Sequence, residues 1–179
     1  MSDVVSPVMF RERELKDMEF RIEDPHVADV RDVLREHETH SSVWSPPEST
    51  HVLDLDGLKA PSVTFWALRD DGTVVGCCAL KEISPVHGEV KSMHVAETAR
   101  GHGYGIRLLQ HLIDEGRARS YERLSLETGL RDGYAAARAL YERFGFEPCG
   151  PFGDYRSDPN SLFMTCVLTA AYPARVTNG

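Results

Sequence analysis

The chain has 179 residues, of which 41% are hydrophobic and 27% charged, and its formal net charge is −8 at pH 7. This length suits one domain around one core and excludes two full domains, and the ordinary composition excludes a disordered or coiled-coil chain. The acidic balance argues against nucleic acid as a partner, because that binding rests on Lys and Arg neutralising phosphates; it fits a solubilising surface and, beyond that, a cationic substrate.

In chain order, residues 1–18 mix charged and apolar residues without a period and are expected to form a flexible extension. Phe20-Arg21-Ile22 predicts a short strand, and Pro25 to about His40 carries Val27, Val30, Val33 and Leu34 at helical spacing. Ser45-Pro46-Pro47 breaks the chain, and Leu53, Leu55 and Leu58 suggest a second, short helix ending near Ala60-Pro61, so that Trp44–His51 becomes a candidate substrate loop. Val63–Leu68 and Thr73–Ile83 flank a turn at Asp70-Asp71-Gly72 and read as a β-hairpin, with Gly88–Val95 as a third strand. Leu108, Leu109, Leu112 and Ile113 form a helical apolar stripe between Gly103 and Ser120. Arg123–Glu127 returns as a strand, Tyr134–Phe144 as a helix stopped by Gly145, and Phe146–Cys149 and Ser161–Leu168 as the last strands; 169–179 reads as a loose tail. The order β-α-α-β-β-β-α-β-α-β-β predicts an α/β fold of the mixed (α+β) kind, a mixed and mostly antiparallel sheet flanked by helices, over 19–168.

No apolar run approaches the roughly 20 residues that cross a bilayer, and Met1–Phe20 lacks a signal-peptide core, so no membrane partner and a cytoplasmic location are expected. Cys77, Cys78, Cys149 and Cys166 show no metal-type C-x-x-C spacing, so no metal is expected and most read as buried thiols; nothing in the spacing supports an acyl-cysteine at Cys149. The final strand at Ser161–Leu168 is a candidate for pairing across a homodimer.

The informative stretch is Arg100-Gly101-His102-Gly103-Tyr104-Gly105, between a predicted strand and the strongest predicted helix. The first-turn amides of a helix have no intrahelical partner and sit at the positive end of its dipole, so they suit a phosphate, and glycine lets that anion approach closely. Neither common phosphate loop fits. A P-loop needs a Lys after its last glycine, where Ile106 stands, and a dinucleotide turn needs G-x-G-x-x-G in the first βαβ unit, whereas this run is G-x-G-x-G late in the chain.

With these residues in view, the chain resembles the GNAT-type N-acetyltransferases, whose acyl-CoA loop Arg/Gln-x-x-Gly-x-Gly/Ala is matched by Arg100–Gly105. Leu140-Tyr141-Glu142-Arg143-Phe144-Gly145-Phe146 is similar to the family's Leu-Tyr-Glu-x-x-Gly-Phe segment. The resemblance spans about 19–168 and implies acetyl-CoA as co-substrate: backbone amides of Arg100, Gly101, His102, Gly103, Tyr104 and Gly105 on the pyrophosphate, and Met93, His94 and Val95 along the pantetheine arm. It also places Tyr141 near the CoA sulfur. Many members carry Asn seven residues before that tyrosine, where this chain has Tyr134.

An amine attacks only as its free base, so a carboxylate or water relay near it helps. Glu89 is the candidate base, at the position where the family often puts one; the alternative is a plain ion pair with Lys91, whose face it shares with Met93 and Val95 in a regular strand. Tyr141 is the candidate acid for the departing thiolate, the alternative being a core tyrosine. Thr128 is expected to help position pantetheine or acceptor, and Phe152, Asp154, Tyr155 and Ser161 to line an acceptor pocket. The side chains of His94 and His102 are given no chemical role. The resulting reading is direct acetyl transfer to the amine of a small molecule or amino-acid-like acceptor; the alternatives are a protein N-terminus or lysine, or a non-catalytic acyl-CoA-binding module.

Overall fold

The computed structural model describes residues 17–168. The expected extension and tail lie outside these residues, except that Asp17 and Met18 are described and Met18 already belongs to the first strand. Chain order is β1 (Met18–Ile22), α1 (Ala28–Trp44), β2 (Val63–Asp70), β3 (Thr73–Ser84), β4 (His87–Val95), α2 (Tyr104–Ala118), β5 (Arg123–Gly129), α3 (Ala135–Arg143), β6 (Glu147–Cys149) and β7 (Ser161–Val167). The strands form one seven-stranded sheet ordered β1-β2-β3-β4-β5-β7-β6. Every pairing is antiparallel except that of β4 with β5. This is the mixed α/β architecture that the element order predicts.

Two details depart from expectation. The second helix is only a 3₁₀ turn, Gly57–Lys59, with another at Pro47–Ser49. Prolines bracket this short segment, and of its three leucines Leu58 alone is fully buried, at 2% exposure, so an amphipathic stripe never develops. The last strand is not the edge of the sheet: β7 lies between β5 and the short β6, which pairs with Phe163–Thr165 and leaves the rest of that side of β7 without a strand beside it.

The two long helices cover opposite faces of the sheet. Adjacent residues of a strand point to opposite faces. A Cβ on Gly76 would meet Leu108 of α2 at 3.0 Å. The neighbouring Cys77 is in register with His94, whose ring tilts against His37 of α1. Leu108, Leu109 and Leu112 are fully buried on the α2 side, each worth about 2 kcal/mol of transfer free energy. Val30, Val33 and Leu34 bury α1 on the other side. Arg69 of β2, 7% exposed, pins the start of α1, reaching Glu23 through Nε and Nη2 (2.9 Å each) and Asp29 through Nη1 (2.7 Å).

Strand β4 is irregular where it matters. Ala79 opposes Lys91 but Cys77 opposes His94, so three residues of β4 advance against two of β3, and Ser92 takes the left-handed φ of +47°. The bulge shifts the alternation by one. Glu89 and Lys91 therefore share their face with His94, not with Met93 and Val95 as a regular strand would have it.

Candidate active site

Strands β4 and β5 pair only between His87–Glu89 and Arg123–Ser125. Beyond that point they part, and the gap is a cleft of about 380 Å³ walled by Val90–Val95 of β4 and Leu126–Gly129 of β5. Its lining includes His37, His40 and Ser41 of α1 on one face of the sheet, and Gly105 of α2 with Leu140 and Tyr141 of α3 on the other. The cleft thus passes through the sheet, so two reactants can meet in it from opposite sides.

At its α2 end stands the glycine loop. Gly101 and Gly103 have φ of +82° and +81°, the left-handed conformation that contributes to anion-binding nests. A Cβ on Gly101 would meet nothing within 4 Å, so space is open above the backbone there. The imidazole Nδ1 of His102 lies 3.0 Å from the Arg100 carbonyl within the loop, and the Tyr104 hydroxyl donates to Asp70 at the end of β2, so Tyr104 ties the start of α2 to the sheet. These features fit a pyrophosphate bound through backbone amides at the start of α2.

Of the residues singled out in the sequence, Met93, His94, Val95, Arg100, Gly105, Thr128 and Tyr141 line the cleft together. Gly101, His102, Gly103 and Tyr104 continue the loop between Arg100 and Gly105, outside the enclosed part. Tyr141 is 7% exposed, and burial, with Glu127 nearby, pushes its phenol up to about 12, so it is protonated at neutral pH. Tyr134, standing where the family often has Asn, bonds Ser45 (2.7 Å) and so ties the end of α1 to the cleft.

Glu89 lies elsewhere. It is 3% exposed and lines a second cavity, of about 900 Å³, that adjoins the cleft through the shared residues Ser49, His51, Val52 and Lys91. Its Oε1 accepts from the Tyr155 hydroxyl at 2.5 Å and pairs with Lys91 Nζ at 3.4 Å, while Lys91 donates to the Tyr155 oxygen (2.8 Å) and the His51 carbonyl (2.9 Å). Burial and the Glu89 charge hold the Tyr155 phenol well above its usual value. Asp154 and Tyr155 line this cavity as expected; Phe152 and Ser161 do not, Phe152 packing instead against His87 and Phe163.

The polar face of α1 and Glu127 join the cleft only in the folded structure. His37, His40, Ser41 and Trp44 recur at helical spacing beside the apolar Val30–Val33–Leu34 stripe, a signal present in the sequence but indistinguishable there from a solvated face. Glu127 lines the cleft, and burial raises its carboxyl against the pull of Ser161, His51 and Lys91.

His37 and His94 carry a pH signature. Burial, then His94, His40 and Lys91, lower His37 from the ordinary 6.5 to about 3; burial, then Arg100 and His40, lower His94 to about 4. The unfolded chain therefore takes up protons first as pH falls, so the stability these groups contribute is intact above 6.5 and is lost progressively from 6.5 toward 4. Urea unfolding is expected to show a lower midpoint at pH 5 than at pH 7, and His37→Gln is expected to shrink that difference. An equal difference in wild type and variant refutes the assignment.

The family model for the acetyltransferase (GNAT) family matches residues 28–146. The uncharacterized N-acetyltransferase YsnE of Bacillus subtilis is 45% identical over 148 residues, 83% of this chain and 98% of that protein. A protein of Azospirillum brasilense named IAA acetyltransferase is 44% identical over 144 residues, 79% of this chain and 92% of its own length. Among solved structures, a Klebsiella pneumoniae protein assigned as an acyl-CoA N-acyltransferase superposes with a TM-score of 0.68 at 28% identity, covering 84% of this chain and 97% of that one. No helix among the described residues is long and apolar enough to cross a membrane. With sequence, sheet topology, parted strands and glycine loop in agreement, the chain belongs to the GNAT family and is an acetyl-CoA-dependent N-acetyltransferase.

Proposed function

We propose that the chain transfers the acetyl group of acetyl-CoA directly to the amine of a small, amino-acid-like acceptor. The observation that carries this reading is the cavity of about 900 Å³ that adjoins the cleft, sharing Ser49, His51, Val52 and Lys91 with it, a volume within the range of small-molecule sites. Its wall carries both signs of charge. Glu48 and Asp154 can draw an ammonium group, and Lys81 and Arg156 a carboxylate.

In this reading the pyrophosphate lies on the loop Arg100–Gly105, pantetheine runs along Met93–Val95 and past Thr128, and the Tyr141 hydroxyl faces the sulfur as the acid that protonates the departing thiolate. Glu89 acts from the acceptor cavity, one layer behind Tyr155 and Lys91, as the charge that holds both in place. Catalysis then rests mainly on bringing the two substrates together from the two faces of the sheet.

The test is CoA release from acetyl-CoA with a panel of free amino acids, amines without a carboxylate, and peptides bearing a free N-terminus or a lysine. Turnover of free amino acids above peptides is expected. Turnover confined to peptides overturns the small-acceptor reading and makes the acceptor a protein.

A further inference from the structure

His94 occupies a place that a regular strand would deny it. The bulge at Ser92 turns its side chain toward α1, where it lines the cleft at only 8% side-chain exposure. Its Nε2 is buried, makes no hydrogen bond among the described residues, and lies 3.5 Å from Oε2 of Glu36. That carboxylate is itself fixed: the same oxygen accepts the backbone N–H of Glu97 at 2.8 Å. An imidazole that lines the cleft and has an oriented carboxylate beside its buried nitrogen is the arrangement of a base and its orienting group.

We propose that His94 is the general base that takes the proton from the attacking amine, with Glu36 as the positioning residue that holds the ring and stabilises its charged form. The proposal deepens the reading of the cleft given above and rests on it. The amine nitrogen forms a bond to the thioester carbonyl carbon and the carbon–sulfur bond breaks. The proton shed by nitrogen goes to the imidazole of His94, whose charge is balanced by Glu36, and the thiolate takes the phenolic proton of Tyr141. Transfer of the His94 proton through water to the tyrosinate restores both groups, leaving a neutral amide and CoA thiol.

The groups around the ring agree with this role. From α1 it faces Glu36, His37 (ring centroids 5.4 Å apart) and His40 (6.4 Å); the loop after β4 adds Arg100 and Glu97, and Lys91 shares its strand face. Burial, then Arg100 and His40, keep the ring neutral at neutral pH, so a lone pair is available, and the Glu36 carboxylate 3.5 Å from Nε2 stands where it can balance the charge once a proton arrives. Glu89 does not line the cleft and is already engaged by Lys91 and Tyr155, whereas Glu127 lines it and is the rival base.

The experiment compares wild type with His94→Gln, Glu36→Gln and Glu127→Gln, reading CoA release across pH 4–9 both with the most active amine of the panel and with water alone, the hydrolysis of acetyl-CoA. Calorimetric binding of acetyl-CoA and melting temperature are the controls. For His94→Gln a fall of about 10²–10³-fold in kcat with unchanged acetyl-CoA affinity is expected, together with loss of the acid limb of the profile. For Glu36→Gln a smaller fall and a displaced limb are expected. Wild-type kcat and limb in His94→Gln, or a limb that disappears only in Glu127→Gln, overturns the proposal. A wild type that hydrolyses acetyl-CoA through His94 yet acetylates no small amine leaves this base in place and overturns the small-acceptor reading. A wild type that binds acetyl-CoA but releases no CoA in either arm overturns both.

Discussion

Gly103→Glu is expected to fold and to lose at least 100-fold in affinity for acetyl-CoA, which is about 2.7 kcal/mol. Two effects combine. Gly103 sits at φ +81° immediately before α2, where any side chain is strained by about 1–2 kcal/mol, and a carboxylate there puts a negative charge beside the bound pyrophosphate. Gly103→Asn isolates the charge, because it adds a polar side chain without one and Asn tolerates the left-handed region best among residues with a side chain. Calorimetric titration of all three proteins with acetyl-CoA, beside their melting curves, is the measurement. The order of affinity expected is wild type, then Gly103→Asn within about tenfold, then Gly103→Glu. If Gly103→Glu binds as wild type does, the glycines form a turn and not a phosphate site.

Tyr141→Phe is expected to lower kcat by about 10²–10³-fold while leaving acetyl-CoA affinity and stability nearly unchanged. The ring is buried against Phe146, so phenylalanine keeps its packing, and the hydroxyl has no hydrogen-bond partner among the described residues to be left unsatisfied. Since burial pushes the phenol up to about 12, the acid form persists through pH 10 and no alkaline loss due to this group is expected below that. Single-turnover CoA release at saturating acetyl-CoA reads the chemical step directly. A kcat equal to wild type makes Tyr141 a core residue only.

Local patterns are legible in the amino-acid sequence alone. The α2 stripe at Leu108, Leu109, Leu112 and Ile113, the hairpin turn at Asp71-Gly72 and the loop Arg100–Gly105 are each specified within about a dozen consecutive residues. Helical period, turn chemistry and free first-turn amides are properties of such short stretches. The fold class follows from them, whereas acetyl-CoA as donor and Met93, His94, Val95, Thr128 and Tyr141 as residues beside it come from the resemblance to the GNAT family; all five line the cleft. The region between α1 and β2 reads wrongly as a helix because Leu53, Leu55 and Leu58 suggest a period that the bracketing prolines do not allow to continue.

The elements and the glycine-rich turn before α2 are legible in the sequence, since both arise from interactions among near neighbours along the chain. Which side chains line the cleft is set by the tertiary structure. One extra residue at Ser92 reverses the alternation of β4 and brings His94, not Met93, onto the face of Glu89 and Lys91. Glu89 meets Tyr155 from 66 residues away, and Glu36 meets the loop at Glu97 from 61. Such contacts depend on strand register and on where β4 and β5 part, quantities set by packing across the sheet that no local period encodes.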